Sequence, residues 1–283
     1  MKKDDIKTLI VVAVVCITCV LLILILNIKS NSEKLTPVNE YDTFFSTSNY
    51  INNYLSYISS NNSNAVISLL HNEYIVYNNI TESNLLDSLE AYPENTNIKV
   101  DYMEYVKIKD NYVYYVKGTI VENGYNERNE IDKDFEILVM VDYNNMAISL
   151  YPLEGNNYKK VIDKIKKVNI EKNKYNTILE SPLITKEQIC VTYLSDYLET
   201  ISNDINVAYE LLSKSMKKTY TTVDSYNEFI NSNINKFTTT ADKCKLDTID
   251  EKRVYSVIDK NDNRYIFNES SIMNYTVDIY LAN

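Results

Sequence analysis

Residues 50–59 read YINNYLSYIS, and residues 193–202 read YLSDYLETIS. Both stretches carry Tyr, Tyr-Leu and Ile at the first, fifth, sixth and ninth positions, a spacing that gathers apolar side chains on one face of an α-helix. In the first stretch that face is Tyr50, Ile51, Tyr54, Leu55 and Ile58. The offset is 143 residues, and the likeness continues downstream, where Ala65 with Leu69 and Leu70 is matched within one residue by Ala208 with Leu211 and Leu212. A fixed offset sustained over successive elements marks a duplicated unit.

Moving outward from residues 50–59, Ser59-Ser60-Asn61-Asn62-Ser63 ends the first helix and offers N-caps for a second. A third helix is expected after Thr81, with Leu85, Leu86 and Leu89 on one face and Pro93 as its stop. Beyond Pro93 the period falls to two. Ile98, Val100 and Tyr102 alternate, Asn111 to Val121 reads as a strand, Phe135 to Val141 alternates, and Tyr143-Asn144-Asn145 turns into Met146, Ile148 and Leu150. The second copy follows the same order. Its third helix carries Tyr226, Phe229, Ile230 and Ile234 behind a capping box at Ser225 and Glu228, and its strands are Lys243–Ile249, Arg253–Ile258, Arg264–Phe267 and Met273–Leu281. Residues 259–263 form a hairpin turn between the second and third of these. One alignment makes Met273–Leu281 the counterpart of Phe135–Val141, so that the second copy lacks its closing strand and leaves an open edge. The other makes it the last strand.

Upstream, Leu9 to Leu26 is an uncharged run of eighteen residues. As a helix with its flanks it rises about 30 Å, the thickness of a bilayer's hydrocarbon core, which reads as a membrane span. The run is longer than a signal-peptide core and is followed by Asn27, Ile28 and Lys29, so an uncleaved anchor is expected. Lys2, Lys3 and Lys7 before the run, against Lys29 and Lys34 after it, favour a cytoplasmic N-terminus.

The formal net charge of −10 argues against a general affinity for nucleic acid. Cys16 and Cys19 lie in the apolar run; Cys190 and Cys244 could join in a disulfide in an oxidising compartment or stay as free thiols. The single histidine, His71, stands beside Leu69 and Leu70, so histidine triads and zinc sites lack parts. The three glycines, Gly118, Gly124 and Gly155, are too scattered for a phosphate loop. Between the copies, Lys159, Lys160, Lys164, Lys166, Lys167, Lys172 and Lys174 outnumber Asp163 and Glu171, with Val161, Ile162, Ile165 and Val168 at helical spacing. That pattern fits a solvated linker helix, or else a basic helix lying on anionic lipid or wall polymer; the linker is the reading adopted.

Three helices on a curved antiparallel sheet, carried by the Tyr-x-x-x-Tyr-Leu-x-x-Ile helices at Tyr50 and Tyr193, the Ala and Leu-Leu pairs and the long hairpin from Phe135 to Tyr151, resembles the nuclear transport factor 2-like, or cystatin-like, α+β fold. More narrowly, a single span ahead of tandem domains of this kind resembles membrane-anchored proteins of low-GC Gram-positive bacteria. The expected organisation is a cytoplasmic stub (1–5), a transmembrane helix (6–28), a juxtamembrane tether (29–43), a first domain (44–153), a basic linker (154–190) and a second domain (191–283). The chain is then single-pass in the cell membrane, with its bulk extracytoplasmic.

In that fold, the resemblance implies, proton-transfer chemistry uses an Asp, a Tyr or an Asp–His pair facing the cone between sheet and helices. Tyr54, His71, Asp101, Tyr102 and Tyr114 in the first copy and Tyr197 and Tyr255 in the second are of the right type. Among 26 tyrosines some face any cavity, and no carboxylate falls at an inward strand position in this reading. No residue is therefore assigned a catalytic, cofactor-binding or metal-binding role, no cofactor is expected, and the chain reads as a non-enzyme. The leading function is a tethered binding or scaffold protein with a protein partner or a second copy, without nucleic acid or an established small-molecule ligand. The alternatives are an inner-membrane component of a conjugation or type IV secretion machine, and an isomerase-like enzyme using the cone.

Overall fold

The computed structural model describes residues 16–22, 34–85, 96–122, 133–144, 147–155, 157–167 and 184–282. The first unit opens with a two-residue strand β1 (Thr36–Pro37) and helices α1 (Tyr41–Ser59), α2 (Ser63–Leu69) and α3 (Asn72–Tyr77). Strands β2 (Thr96–Ile108), β3 (Asn111–Glu122), β4 (Lys133–Asp142) and β5 (Ala147–Leu153) follow, and the sheet runs β1-β2-β3-β4-β5 with every neighbour antiparallel. Helix α1 lays Phe44, Ile51, Tyr54, Leu55 and Ile58 onto the inner face of this sheet, against Tyr114, Val116, Val139 and Leu150. Asn62 Oδ1 accepts from Ala65 N at 3.2 Å and so starts α2.

Strand β2 changes face partway along. Its register slips between Val100 and Tyr102, so Ile98 and Val100 point inward with Met103 and Tyr105, while Tyr102 points out. Gly118 sits opposite this bulge, where a Cβ would come within 2.3 Å of the Lys99 carbonyl oxygen. Only a residue without a side chain lets the two backbones approach that closely.

The outer face is covered too. Helix α4 (Tyr158–Ile165) lays Val161, Ile162 and Ile165 over Val106, Val113, Tyr115, Leu138, Met140 and Tyr151. With both faces covered, β4 and β5 are buried on both sides, which is why Phe135 to Val141 is apolar at nearly every position.

The second unit comprises α5 (Lys186–Asn203), α6 (Ile205–Glu210), α7 (Met216–Thr219), α8 (Val223–Asn233) with a 3₁₀ turn (Ile234–Lys236), and the sheet β6 (Ala241–Ile249), β7 (Lys252–Asp259), β8 (Arg264–Ser271), β9 (Asn274–Tyr280) in sequential antiparallel order. At the offset read from the sequence, Ile51, Tyr54, Leu55 and Ile58 of α1 correspond to Leu194, Tyr197, Leu198 and Ile201 of α5, and all eight are buried. Cys190, buried on α5, forms a disulfide with Cys244 of the edge strand β6.

Several expectations are corrected. Among the described residues no helix is long and apolar enough to cross a membrane, so the transmembrane helix expected at 6–28 is not found there and the described fold is α+β with two antiparallel sheets. Of that span, residues 16–22 are helical and the rest lies outside the described residues. The tether at 29–43 contains β1 and the first turn of α1, while the proposed linker at 154–190 contains α4 and the start of α5, capped by Thr185 and Gln188. The apolar face of α4 found a sheet to cover, so this part of the linker belongs to the first unit. The helix after Thr81 falls mostly on residues 86–95, outside the described residues; α3, which was not expected, precedes it, with the His71 ring as its N-cap. The box ahead of α8 uses Thr222 and Ser225 instead of Ser225 and Glu228. The closing strand is also present. Leu70 bridges Leu150 of β5 in parallel, and Leu212, the repeat equivalent of Leu70, bridges Val277 of β9 in the same way, so β9 is the counterpart of β5.

The units interlock. Ile272, at the tip of the β8–β9 hairpin, is buried in the core of the first unit, and Tyr41 of α1 packs against the core of the second. Met273, at the same tip, holds a left-handed φ of 59° and touches both cores. A non-glycine residue in that conformation is held there by its surroundings, here by a backbone N–H that donates to the Tyr193 hydroxyl at 3.0 Å.

Candidate functional site

Where the units meet, the chain assembles a cluster of charged and phenolic groups. Tyr41 comes from the first turn of α1, Tyr193 from α5, Arg253 and Tyr255 from β7, and Glu269 from β8. Residues 265, 267 and 269 share the inward parity of β8, so Glu269 follows Tyr265 and Phe267 into the interior and is buried. An inward carboxylate of this kind was not expected.

The Tyr41 hydroxyl lies 2.7 and 2.6 Å from the two Glu269 oxygens and 2.7 Å from the Tyr255 hydroxyl. Glu269 as a carboxylate only accepts, and a phenol carries one proton, so Tyr41 donates to Glu269 and Tyr255 donates to Tyr41. The Arg253 guanidinium lies 4.8 Å from the centroid of the Tyr41 ring, donates from Nη2 to the Asn39 carbonyl at 3.0 Å, and places Nη1 3.8 Å from Glu269 Oε2. Burial, then the neighbouring Tyr193 hydroxyl, then the bond to Glu269 raise the Tyr41 phenol far above its ordinary range. Burial also raises Tyr193 and Tyr255. The phenols stay protonated and Glu269 has Arg253 as its counter-ion.

One more hydrogen bond crosses the junction, and a half-buried carboxylate lies near it. The Ile184 N–H donates to Asp42 Oδ1 at 3.0 Å. Asp196 of α5 accepts from the Tyr275 hydroxyl at 2.6 Å; burial raises its carboxyl above the usual range, opposed by the Tyr275 bond and by Lys99 of the first unit. Every polar side chain in the cluster has its partner in another, and the arrangement holds two bodies in one orientation.

The residues singled out from sequence are mostly dispersed. Tyr54 and Tyr114 lie in the core of the first unit, and Tyr197 lies in that of the second with its hydroxyl against that of Tyr226. His71 is buried and accepts from Glu73 N; Asp101 is exposed at the bulge and accepts from Thr119; Tyr102 is exposed on the outer face beside Tyr115. Only Tyr255 belongs to the cluster. Tyr41, Arg253 and Glu269 were missed, although carrying the β8 alternation two residues past Phe267 turns Glu269 inward. A second aromatic group, Tyr105, Tyr112, Tyr114 and Tyr143 with Lys107 over the Tyr112 ring, borders the inner face of the first sheet.

Among the described residues no group of three or more His, Cys, Asp or Glu side chains is placed to hold a metal ion. The chain matches no protein-family model, no curated protein and no solved structure.

Proposed function

We propose that the chain is a non-enzymatic, extracytoplasmic binding or scaffold protein that acts through protein–protein contacts, its two units of nuclear transport factor 2-like architecture serving as one rigid platform. The observation that carries this reading is the junction itself. Tyr41 of the first unit bonds to Tyr255 and Glu269 of the second and stacks under Arg253, so the charged and phenolic groups that the fold gathers are used to join the units. A carboxylate–phenol–guanidinium set used this way fixes geometry. The Cys190–Cys244 disulfide supports an oxidising compartment, as an extracytoplasmic location requires.

Photo-crosslinking in intact cells tests the reading. A benzoylphenylalanine at exposed Tyr102 or Tyr143 should give a discrete adduct of reproducible mass, and one at buried Tyr197 should give none. Absence of any adduct across a set of exposed positions, together with turnover of a small molecule by the purified chain, would overturn it.

A further inference from the structure

Helix α4 buries Val161, Ile162 and Ile165 against the first sheet, which fixes where its other side chains go. Lys160 and Lys164, at i and i+4 on the helix, are exposed on the side turned away from the sheet, and exposed Lys167 continues the row in the turn that closes it, its N–H donating to the Lys164 carbonyl at 2.9 Å. Lys164 Nζ lies 5.0 Å from the centroid of the Tyr77 ring, so the row runs beside the end of α3. Val76 and Tyr77 are there, and among the described residues they are the most exposed large apolar side chains, at 75% and 71%. Acidic groups nearby do little to cancel the row. Asp163 pairs with Lys166 at 3.3 Å, a Glu73 carboxylate oxygen is buried beside Tyr151, and Glu154 lies toward Tyr74.

We propose that this face of the first unit docks on an anionic lipid surface, with Val76 and Tyr77 at headgroup depth and Lys160, Lys164 and Lys167 on lipid phosphates. The contact is with the surface and involves no crossing of it. Charge alone would suit any polyanion, but an exposed Val-Tyr step has no use for a soluble phosphate polymer. At a bilayer boundary a phenol sits with its ring in the apolar layer and its hydroxyl in water, and lysine stems lie along the same boundary with their ammonium groups outward. The net charge of −10 on the chain as a whole turns the remaining surface away from an anionic membrane and so orients the docking.

The chain has no tryptophan, so Tyr77→Trp installs a single fluorescent reporter at the contact in the full chain. Mixed with phosphatidylglycerol vesicles, its emission should shift to the blue and return on adding salt; with phosphatidylcholine vesicles it should stay unshifted. Adding Lys160→Gln, Lys164→Gln and Lys167→Gln should weaken the shift by about a hundredfold in lipid concentration, since each lysine near an anionic surface contributes roughly fivefold. Far-UV dichroism identical to the parent establishes that the variant is folded. Every protein in the comparison shares the same N-terminal residues, so the differences report on this face alone. An equal shift on both vesicle types, or one indifferent to the three lysines, overturns the proposal. An equal shift on soluble polyphosphate assigns the row to a polymer and also overturns it.

Discussion

Glu269 carries its charge in the interior because the Tyr41 phenol and the Arg253 guanidinium replace the water it lost. Removing the phenol hydroxyl leaves a buried carboxylate with only a distant counter-ion. Tyr41→Phe should therefore lower stability by about 2 to 3 kcal/mol, measured by urea unfolding, because hydrogen bonds to charged groups are the strong ones. The double variant Tyr41→Phe/Glu269→Leu should lose less than the sum of its two parts, since the orphaned charge is gone; additivity would mean the two residues do not interact. This cluster was hard to read from the sequence for a plain reason. Tyr41 and Glu269 stand 228 residues apart, and no local period relates the first turn of one helix to the far end of a strand in the other unit. Tyr255, on a clearly alternating strand, was legible as an inward tyrosine, but 26 tyrosines gave it no distinction.

At the scale of elements, Gly118 and the Cys190–Cys244 bridge each hold a strand in place. Gly118→Ala would drive a methyl group into the Lys99 carbonyl, where backbone on both sides leaves little to yield, and should cost about 3 kcal/mol and broaden the thermal transition. The disulfide ties α5 to edge strand β6 across 54 residues. Chain-entropy arguments give such a closure about 4 kcal/mol, so reduction should lower the unfolding midpoint and speed amide exchange in β6 more than in β8; equal exchange in both strands would show that the bridge does not hold the edge. Helices α1 and α5 and the strands of the second unit were legible because each repeats its period over at least two turns or several alternations. Helix α4 was legible as amphipathic, but its destination was not, since an apolar stripe shows that something covers it without showing what. His71 as the cap of α3 is a similar case: capping by an imidazole has no spacing to recognise.

Over the whole molecule, tyrosines supply much of the core, and burial raises the phenols of Tyr193, Tyr197, Tyr226, Tyr265 and Tyr275 above their ordinary value. A phenol that keeps its proton in the folded chain above pH 10, where the unfolded chain has lost it, contributes stability that is complete below pH 10 and declines as pH rises further. Absorbance at 295 nm should show these buried phenols ionising above pH 10 together with loss of far-UV dichroism. Smooth titration of all of them in a folded chain would contradict this. The duplicated arrangement of helices before strands was legible through the 143-residue offset, whereas the interlocking of the units was not, because Ile272 looks like any apolar turn residue. That residue also sets a schedule for synthesis. Ribosomes deliver the chain from its N-terminus, yet the core of the first unit includes Ile272 of the second unit's hairpin, so the leading unit emerges without one of its core side chains. The packing of the first unit is therefore complete only once the trailing hairpin has been made and has docked against it.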